Sequence, residues 1–576
     1  MKFTWKIGGE AGFGIMTTGL IFSKIALRHG YQIHDFVEYP SLIRGGHNTY
    51  EVTVSNRPIS APKYTIDLLV CLNEDTYLYH KKRLTPQSWV IYDKEEFELE
   101  QNNIVKIDIP FSKILTDLQG AAVMKNMIAL GSSLALIGAD LKELKKILSE
   151  EFSAKSQAVV EFNQSFAEKG YQEVRKRFPS LIKSFLLKQP APATLALTGN
   201  DAFSLASVIA QCGFYCAYPM TPSSSVLTNL ASWQDKTGMI VRHSEDEIAV
   251  INTALGSAFA GMRSSVGTSG GGFALMVEAI SLAGITETPV VIFLAQRPGP
   301  ATGMPTWTEQ GDLLFTIFSG HGEFPKIVLA PGDVEEMLKI AAEAYNLADI
   351  YQTPVIILSE MFLSESHQSL AQKTVVDFWQ QYQVKRGKLV DKLATVSYKR
   401  YQITQDGISP RLIPGVQGYY YQANSYEHLE DGHTTEIGEE RKKQVDKRNA
   451  KILTYLKQDF CLPKIYGDFA QAELVLVGWG GTKGVLLEAQ RILTKKNTPT
   501  ALIHFTYLYP LDGEKLRPLL TAKKNYLLVE NNSTAQLGKL IKMEVGVEIK
   551  NKLLKYDGRM FFPEEIVNFA EKKYDN

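Results

Sequence analysis

Apolar residues along the chain form short runs that alternate with glycine-rich turns and with longer stretches of helical periodicity. The first run, Phe3–Ile7, is followed by glycines between positions 8 and 14 and by a helical pattern over 17–29. A strand, a glycine turn and a helix in this order begin a β-α-β unit. Further strands are predicted at 48–54, 68–72, 89–92 and 104–108, with helices from there up to about 186.

The same alternation starts twice more along the chain. A proline- and alanine-rich stretch at 189–194 is typical of a linker, and a third pattern begins at 473 with a strand and a glycine-rich turn. The 576 residues suit roughly three to four domains of about 150 residues each. We therefore predict an α/β protein built from three α/β modules. The predicted regions are 1–188, 195–370, a connecting segment 371–470, and 471–576.

Composition narrows the possible functions only slightly. Lysine plus arginine and aspartate plus glutamate both number 62, so no basic excess points to nucleic acid. The N-terminal residues show no basic region followed by an apolar core, and the apolar stretch 121–141 is interrupted by polar residues. We expect a cytoplasmic protein that binds neither nucleic acid nor a membrane. The charged run Glu439–Lys447 is interpreted as the solvated face of a helix.

The cysteines argue against a metal centre in this chain. Cys71, Cys212, Cys216 and Cys461 form no CxxC pair. Cys212 and Cys216 lie in an apolar stretch, where small buried residues are the expected role. Scattered cysteines cannot supply the usual ligands of an iron–sulfur cluster. We therefore expect no metal site here, and any such cluster would have to lie in another chain.

The first candidate ligand site is the glycine turn near the N-terminus. Gly12 and Gly14 lie between the first strand and the first helix, where backbone N–H groups and the helix N-terminus favour an anion. The spacing departs from the GxGxxG pattern of dinucleotide-binding turns. An anion site and a plain tight turn are therefore equal alternatives.

A second candidate is the turn framed by Pro219 and Pro222. Each proline fixes its own φ and restricts the residue before it, so the turn directs the hydroxyl of Thr221. A turn that only starts a helix, with Ser223 or Ser224 as its cap, would use similar residues. Both alternatives remain open.

Three consecutive carboxylates, Glu245, Asp246 and Glu247, precede a helical apolar pattern. The apolar positions of this predicted helix are Ile248, Ile251, Leu255, Ala258 and Phe259. Glu247 stands four residues before Ile251, so its side chain is predicted at the edge of the buried face. Glu245 and Asp246 can point to solvent and favour the helix N-terminus. Because a buried carboxylate needs a partner, Glu247 is either a functional group or a capping acid.

The third candidate is the loop after the apolar strand 289–295. Ligands of α/β sheets bind at the carboxyl ends of strands, and Arg297 follows this strand directly. Its guanidinium offers a bidentate fork that suits a carboxylate. Three prolines and two glycines shape the loop over 298–305, and Thr302 and Thr306 add hydroxyls. The loop is predicted to bind a ligand rather than only to connect two elements.

These motifs, in this order, resemble the 2-oxoacid:ferredoxin oxidoreductase family. YPMTPSS at 218–224 is similar to the family's YPITPSS, and SEDEIAVINTALGSAFAG at 244–261 resembles the helix with its cofactor-activating glutamate. RPGPATGMPTWTEQGD at 297–312 resembles its substrate-carboxylate loop. GGEAGFG and YPSLIRGGHN, both before position 49, resemble parts of the family's gamma domain. The region after Glu473 resembles the family's transketolase-like C-terminal domain.

The resemblance implies the fused gamma–alpha large subunit of an enzyme that oxidatively decarboxylates a 2-oxoacid with coenzyme A and ferredoxin. The implied modules are a gamma domain, a pyrimidine-binding thiamine-diphosphate domain and a transketolase C-terminal-like domain. In this family a separate beta subunit binds the diphosphate and Mg²⁺ and carries a [4Fe–4S] cluster, and we expect an (alpha–beta)₂ assembly. The implied substrate is 2-oxoglutarate. The alternatives are pyruvate, branched-chain oxoacids, indolepyruvate, or a non-catalytic assembly subunit.

Residue roles follow from the same resemblance. Glu247 would hydrogen-bond the pyrimidine ring of thiamine diphosphate and promote removal of the cofactor's C2 proton. Thr221 would hydrogen-bond near the reacting carbon, and Arg297 would bind the substrate carboxylate. The other expected contacts are Thr302 and Thr306 with the substrate, and Tyr218, Pro219, Gly12 and Gly14 with the cofactor.

Overall fold

The computed structural model of the protein describes residues 2–41, 45–100, 103–390 and 398–574, and Arg44 of the N-terminal YPSLIRGGHN motif lies outside them. The strands are β1 (Lys2–Glu10), β2 (Gln32–Glu38), β3 (His47–Ser55), β4 (Ile66–Cys71), β5 (Leu84–Tyr92), β6 (Val105–Asp108), β7 (Thr194–Leu197), β8 (Phe214–Ala217), β9 (Ile240–His243), β10 (Ser264–Thr268), β11 (Val290–Gln296), β12 (Ile327–Leu329), β13 (Pro354–Glu360), β14 (Gln368–Ala371), β15 (Leu389–Val390), β16 (Arg411–Leu412), β17 (Lys464–Tyr466), β18 (Leu474–Trp479), β19 (Thr500–Phe505), β20 (Tyr507–Tyr509), β21 (Asn525–Glu530) and β22 (Asn551–Leu554). The helices are α1 (Ile15–Arg28), α2 (Glu74–His80), α3 (Phe111–Asp117), α4 (Lys125–Leu136), α5 (Leu141–Glu151), α6 (Gln157–Arg177), α7 (Gly199–Ile209), α8 (Ser224–Thr237), α9 (Glu247–Phe259), α10 (Gly270–Thr286), α11 (Leu313–Ile317), α12 (Val334–Tyr351), α13 (Met361–Glu365), α14 (Gln372–Gln381), α15 (Gly438–Gln458), α16 (Lys483–Lys495), α17 (Gly513–Leu520), α18 (Gln536–Val545) and α19 (Pro563–Tyr574). The predicted α/β class is confirmed.

The first of two compact units contains the described residues up to 197 together with 366–374 and 562–564. Its sheet has the order β6-β5-β4-β1-β3-β2-β14-β7. Strand β1 is parallel to β4 but antiparallel to β3. Aromatic packing anchors α1 on this sheet, since the rings of Trp5 and Phe22 stack with their centroids 4.3 Å apart. The sequence predicted β1, β3, β4, β5 and β6 but missed β2, β7 and the returning strand β14.

The second unit contains residues 198–365, 375–561 and the described residues from 565 onward. Its larger sheet has the order β20-β12-β13-β11-β10-β8-β9, and the strands β8 to β13 all run parallel to one another. Every residue of the central strand β11, with the sequence VVIFLAQ, is buried. A continuous apolar run of this kind is expected for a parallel strand with both faces covered.

A second sheet of this unit, in the order β17-β19-β18-β21-β22, is built from residues after 460. All six residues of β18 are buried, and α16 follows it after the glycine turn at 480–481. The neighbouring strand β20 joins the other sheet instead, where it pairs antiparallel with β12. Residues of the third predicted region therefore complete a sheet of the second. The four domain ranges themselves remain predictions.

The expectation of a solvated helix face for the charged run 439–447 is wrong at its C-terminal end. The helix that contains it, α15, turns Lys447 and Lys451 inward, and both are buried. Both ammonium groups form ion pairs with the buried carboxylate of Glu287, at the C-terminus of α10. The lysines and the nearby Arg400 hold the pKa of Glu287 well below its usual value, against the opposing effect of burial. This charge cluster joins α15 to the C-terminus of α10 within the second unit.

The described residues contain no candidate for a membrane span, a metal centre or a disulfide. None of the described helices combines the length and the hydrophobicity needed to cross a bilayer. No group of three or more His, Cys, Asp or Glu side chains in these ranges is arranged to hold a metal ion. The four cysteines are free thiols, of which Cys212 and Cys216 are buried as predicted, whereas Cys461 is exposed.

We predict that Glu287→Gln destabilises the protein by about 3–5 kcal/mol, because it leaves buried ammonium groups without their counter-charge. Urea unfolding followed by fluorescence measures the change. Glu440→Gln is the matched control, since Glu440 pairs with Lys443 on the exposed side of the same helix, and its loss should cost less than about 1 kcal/mol. Equal stability of the two variants would contradict the assigned role of the cluster.

Candidate functional site

The sequence candidates of the second unit meet at one edge of its parallel sheet. Thr221 follows β8, Glu247 follows β9, the glycines 270–272 follow β10, and Arg297 follows β11. These four strands are neighbours and point the same way. Their carboxyl ends therefore form the edge at which α/β sheets bind ligands.

Glu247 is the first residue of α9 and is almost completely buried, with 3% of its surface exposed. It does not cap the helix, because the Asp246 side chain accepts the capping hydrogen bond from the Ala249 N–H at 2.7 Å. Among the described residues, Glu247 Oε1 has no hydrogen-bond partner although it is buried. The capping alternative thus applies to Asp246, and Glu247 presents a carboxylate oxygen that is free to accept a hydrogen bond.

The glycines after β10 give this carboxylate its space. A Cβ atom on Gly272 would lie 2.4 Å from Glu247 Oε1 and 2.2 Å from Thr268 Oγ1, so no larger residue fits there without a shift. The preceding Ser269 is the N-cap of α10, but its hydroxyl is buried and makes no hydrogen bond within the described chain. The start of α10 therefore brings the Ser269 hydroxyl and backbone without side chains close to the Glu247 carboxylate.

The turn around Thr221 is fixed from both sides. The guanidinium of Arg297 donates through Nη1 to the Thr221 carbonyl at 2.7 Å, and Asn200 Nδ2 donates to the Pro222 carbonyl at 2.7 Å. Ser223 precedes α8, yet its hydroxyl donates back to the Met220 carbonyl and makes no capping hydrogen bond in the described structure. The helix-capping alternative is therefore wrong for Ser223. The turn is instead hydrogen-bonded directly to Arg297, in the loop that follows β11.

Tyr218 and Pro219 begin this turn and are both exposed. The ring of Tyr218 lies 6.1 Å from that of His243, the last residue of β9. Both residues are thus at the same sheet edge as Thr221. Their exposed position leaves them accessible to a bound molecule.

Arg297 is half-buried, and burial lowers the pKa of its guanidinium, against the opposing charge of Asp312. The loop beyond it folds back tightly, since the Met304 N–H donates to the Pro298 carbonyl at 3.0 Å. Thr302 is exposed at the tip of this turn, whereas Thr306 is buried. The structure therefore presents Thr302 to solvent and packs Thr306 inside.

Sequence reasoning missed Asp312, the last residue of the motif that begins with Arg297. Its Oδ2 atom is buried and has no hydrogen-bond partner in the described ranges. Burial raises the pKa of Asp312 to about 6, and the charge of Arg297 limits the rise. Asp312 ends the RPGPATGMPTWTEQGD motif, which could have marked it as a site residue. Only the fold, however, brings its charge close enough to act on Arg297.

Gly12 and Gly14 lie in the first unit, between β1 and α1, both with positive φ. A Cβ atom on Gly14 would lie 2.4 Å from Asn126 Nδ2, while a Cβ atom on Gly12 would meet no described atom within 4 Å. Gly14 is thus needed for the turn and its packing. Gly12 borders open space, so an anion-binding role for its turn remains one of the two alternatives.

Two family models match the chain. Residues 206–447 match "Pyruvate flavodoxin/ferredoxin oxidoreductase, thiamine diP-bdg", and residues 4–173 match "Pyruvate ferredoxin/flavodoxin oxidoreductase". The 2-oxoacid:ferredoxin oxidoreductase subunit alpha of a Sulfolobus species is 32% identical, over 98% of this chain and 96% of the relative. The 2-oxoglutarate oxidoreductase subunit KorA of Mycobacterium tuberculosis is 27% identical, over 98% of this chain and 90% of the relative.

A solved structure is similar over nearly the whole chain. It is the 2-oxoglutarate:ferredoxin oxidoreductase from Magnetococcus marinus with 2-oxoglutarate, coenzyme A and succinyl-CoA bound. The TM-score is 0.91, the sequence identity is 29%, and 99% of each chain is covered.

Proposed function

The chain belongs to the 2-oxoacid:ferredoxin oxidoreductase family, with whose alpha subunits it aligns over 98% of its length, and we propose that it acts on 2-oxoglutarate. The reaction is the oxidative decarboxylation of the oxoacid with coenzyme A, with electrons passed to ferredoxin. The similarity to a 2-oxoglutarate enzyme over 99% of both chains supports this substrate. The observation that carries the proposal is the buried Glu247 carboxylate with an unpartnered oxygen at the sheet edge.

The residues at this edge fit thiamine diphosphate, whose binding domain covers residues 206–447. When bound, thiamine diphosphate supplies the electron sink that makes loss of CO₂ from a 2-oxoacid possible. Glu247 would accept a hydrogen bond from the pyrimidine ring, since its free Oε1 lacks a partner among the described residues. Tyr218 and Pro219 would contact the same ring system from the neighbouring turn. The exposed Gly12 turn is a candidate anion contact of the first unit.

Arg297 would bind the carboxylate of the oxoacid. One N–H of its guanidinium is already used by the Thr221 carbonyl, so the fork is oriented before a ligand arrives and less entropy is lost on binding. The Thr221 hydroxyl would hydrogen-bond the substrate near its reacting carbon. Thr302, at the exposed loop tip, would contact the far end of the substrate, and Thr306 would support the loop that sets substrate preference.

A separate beta subunit would complete the enzyme. We expect it to hold the diphosphate, Mg²⁺ and a [4Fe–4S] cluster, and to form an assembly of two alpha and two beta chains. The exposed sides of α9 and α10 are the proposed contact surface. Ile248, directly after Glu247, is 52% exposed, and Leu275 is 51% exposed. Exposed apolar residues beside a partly built site are typical of a surface that a partner covers.

We predict that Glu247→Gln lowers turnover of 2-oxoglutarate by about 10²- to 10⁴-fold, because the amide fills the space but cannot assist proton transfer. The measurement is coenzyme A-dependent reduction of ferredoxin by the complex with the beta subunit. Glu245→Gln is the matched control, since Glu245 is exposed two residues earlier, and it should keep near-normal turnover. Unchanged turnover in Glu247→Gln would remove Glu247 from the catalytic machinery, and turnover of pyruvate alone would contradict the proposed substrate.

We predict that Leu275→Glu weakens association with the beta subunit by about 30-fold or more, because a charge would be buried at the contact surface. Light scattering after size-exclusion chromatography measures complex formation. Leu453→Glu is the control, because Leu453 is 72% exposed and lies on a different helix, α15. If both variants associate like the unmodified chain, the beta subunit binds elsewhere.

A further inference from the structure

Asp312 is held in a fixed position beside the proposed substrate arginine. Its backbone N–H donates to Gln296 Oε1 at 2.9 Å, and Gln296 Nε2 donates to the Ser359 carbonyl at 3.0 Å. Gln296 immediately precedes Arg297, so one side chain ties the aspartate to the end of β11. The backbone of Asp312 is thus anchored to the central strands of the sheet.

The Asp312 carboxyl fits against the start of α10 only because residue 270 is glycine. A Cβ atom there would lie 2.7 Å from Asp312 Oδ2. This oxygen is buried, yet nothing in the described ranges donates a hydrogen bond to it. A buried oxygen without a donor costs free energy, so its position needs an explanation beyond packing.

The charged groups that act on Asp312 are few. Burial raises the pKa of Asp312, and Arg297, in the loop that follows β11, lowers it. The half-buried Glu309 of the same loop carries a like charge, and its own pKa is raised by burial and then by Asp312. The other neighbours, Gly270 of α10 and the Gln296 amide, are uncharged. In the described structure Arg297 and Asp312 make no ion pair within 4 Å, and the arginine donates to Thr221 instead. The guanidinium therefore has N–H groups that Asp312 does not use.

We propose that Asp312 is a positioning residue: it supplies the counter-charge of Arg297 while the substrate place is free, and takes up a proton when the oxoacid carboxylate binds there. This inference rests on the proposed role of Arg297 in substrate binding. The proton comes from solvent as the anion binds. When the carboxylate leaves as neutral CO₂, the same proton returns to solvent and Asp312 regains its charge.

The physical reason is that two carboxylates beside one guanidinium cannot both stay ionised without repulsion. A pKa near 6 in the free protein makes the proton uptake visible around neutral pH. Below pH 6 Asp312 is already protonated, so oxoacid affinity does not change with pH. Above pH 6 binding needs one proton, and affinity should fall by up to about tenfold for each pH unit.

The experiment is calorimetric titration of 2-oxoglutarate into the complex with the beta subunit and thiamine diphosphate. The alpha chain carries Glu247→Gln, which is expected to slow turnover strongly and removes the other buried carboxylate of the site. Titration at pH 7.5 in two buffers of different ionisation enthalpy gives the number of protons taken up. We expect about one proton per oxoacid bound, and about none after a further Asp312→Asn change. Asp312→Asn should also make the dissociation constant independent of pH between 6 and 8.

Glu309→Gln is the matched control, because Glu309 is the other carboxylate of the loop, and it should keep the proton uptake. Uptake that persists in Asp312→Asn, or that disappears in Glu309→Gln, would overturn the inference. Oxoacid binding without proton uptake in the Glu247→Gln complex would also overturn the inference. This result is obtained without any substitution at Asp312, and it leaves the proposed function intact. If the complex binds no 2-oxoacid at all, both the inference and the proposed function fail.

Discussion

The parallel hydrogen-bonded pairing of β9, β8, β10 and β11 is the constraint on which the site depends. Ala217 of β8 pairs with His243 of β9 and with Gly267 of β10, and the next residue, Thr268, pairs with Leu294 of β11. The four strands therefore end nearly level, and the turn, the two helix starts and the loop that follow them meet at one edge. The complete burial of β11 fixes this alignment, because a slip in register would exchange its side chains between two faces that are packed differently.

Some buried carboxylates of the protein are fully paired, whereas others keep an oxygen without a partner. Glu287 is paired with two lysines, and Glu530 accepts hydrogen bonds from Trp479, Asn532 and two backbone N–H groups. Glu247 and Asp312 each keep one buried oxygen without a partner among the described residues. An unsatisfied buried group costs about 1–3 kcal/mol. For Glu247 and Asp312 this cost falls at the edge where a cofactor and a substrate would supply the missing partners, which is expected of a functional site.

Much of the architecture followed from the sequence because its signals were local. The apolar run of β11 and the glycine turn after β1 each predicted an element that the structure contains. The position of Glu247 near the buried face also followed from helical spacing to Ile251. The same spacing failed at Ile248 and Phe259, both exposed on α9, because a helical stripe cannot show which of its apolar residues a missing partner covers. Lys447 looked like a surface residue, since its partner Glu287 lies 160 positions earlier. Asp312 was missed for the same reason, because its environment is created by strand ends and helix starts distant in sequence.

The most direct measurement of the central claim is the exchange rate of the C2 proton of thiamine diphosphate, followed by NMR in the complex with the beta subunit. This rate reports the contact between Glu247 and the cofactor without requiring substrate, coenzyme A or ferredoxin. If the free oxygen of Glu247 is the group that activates the cofactor, exchange should slow by about 10²- to 10⁴-fold in Glu247→Gln, with the fold unchanged by circular dichroism. Exchange as fast as in the unmodified complex would contradict the claim and remove Glu247 from the chemistry.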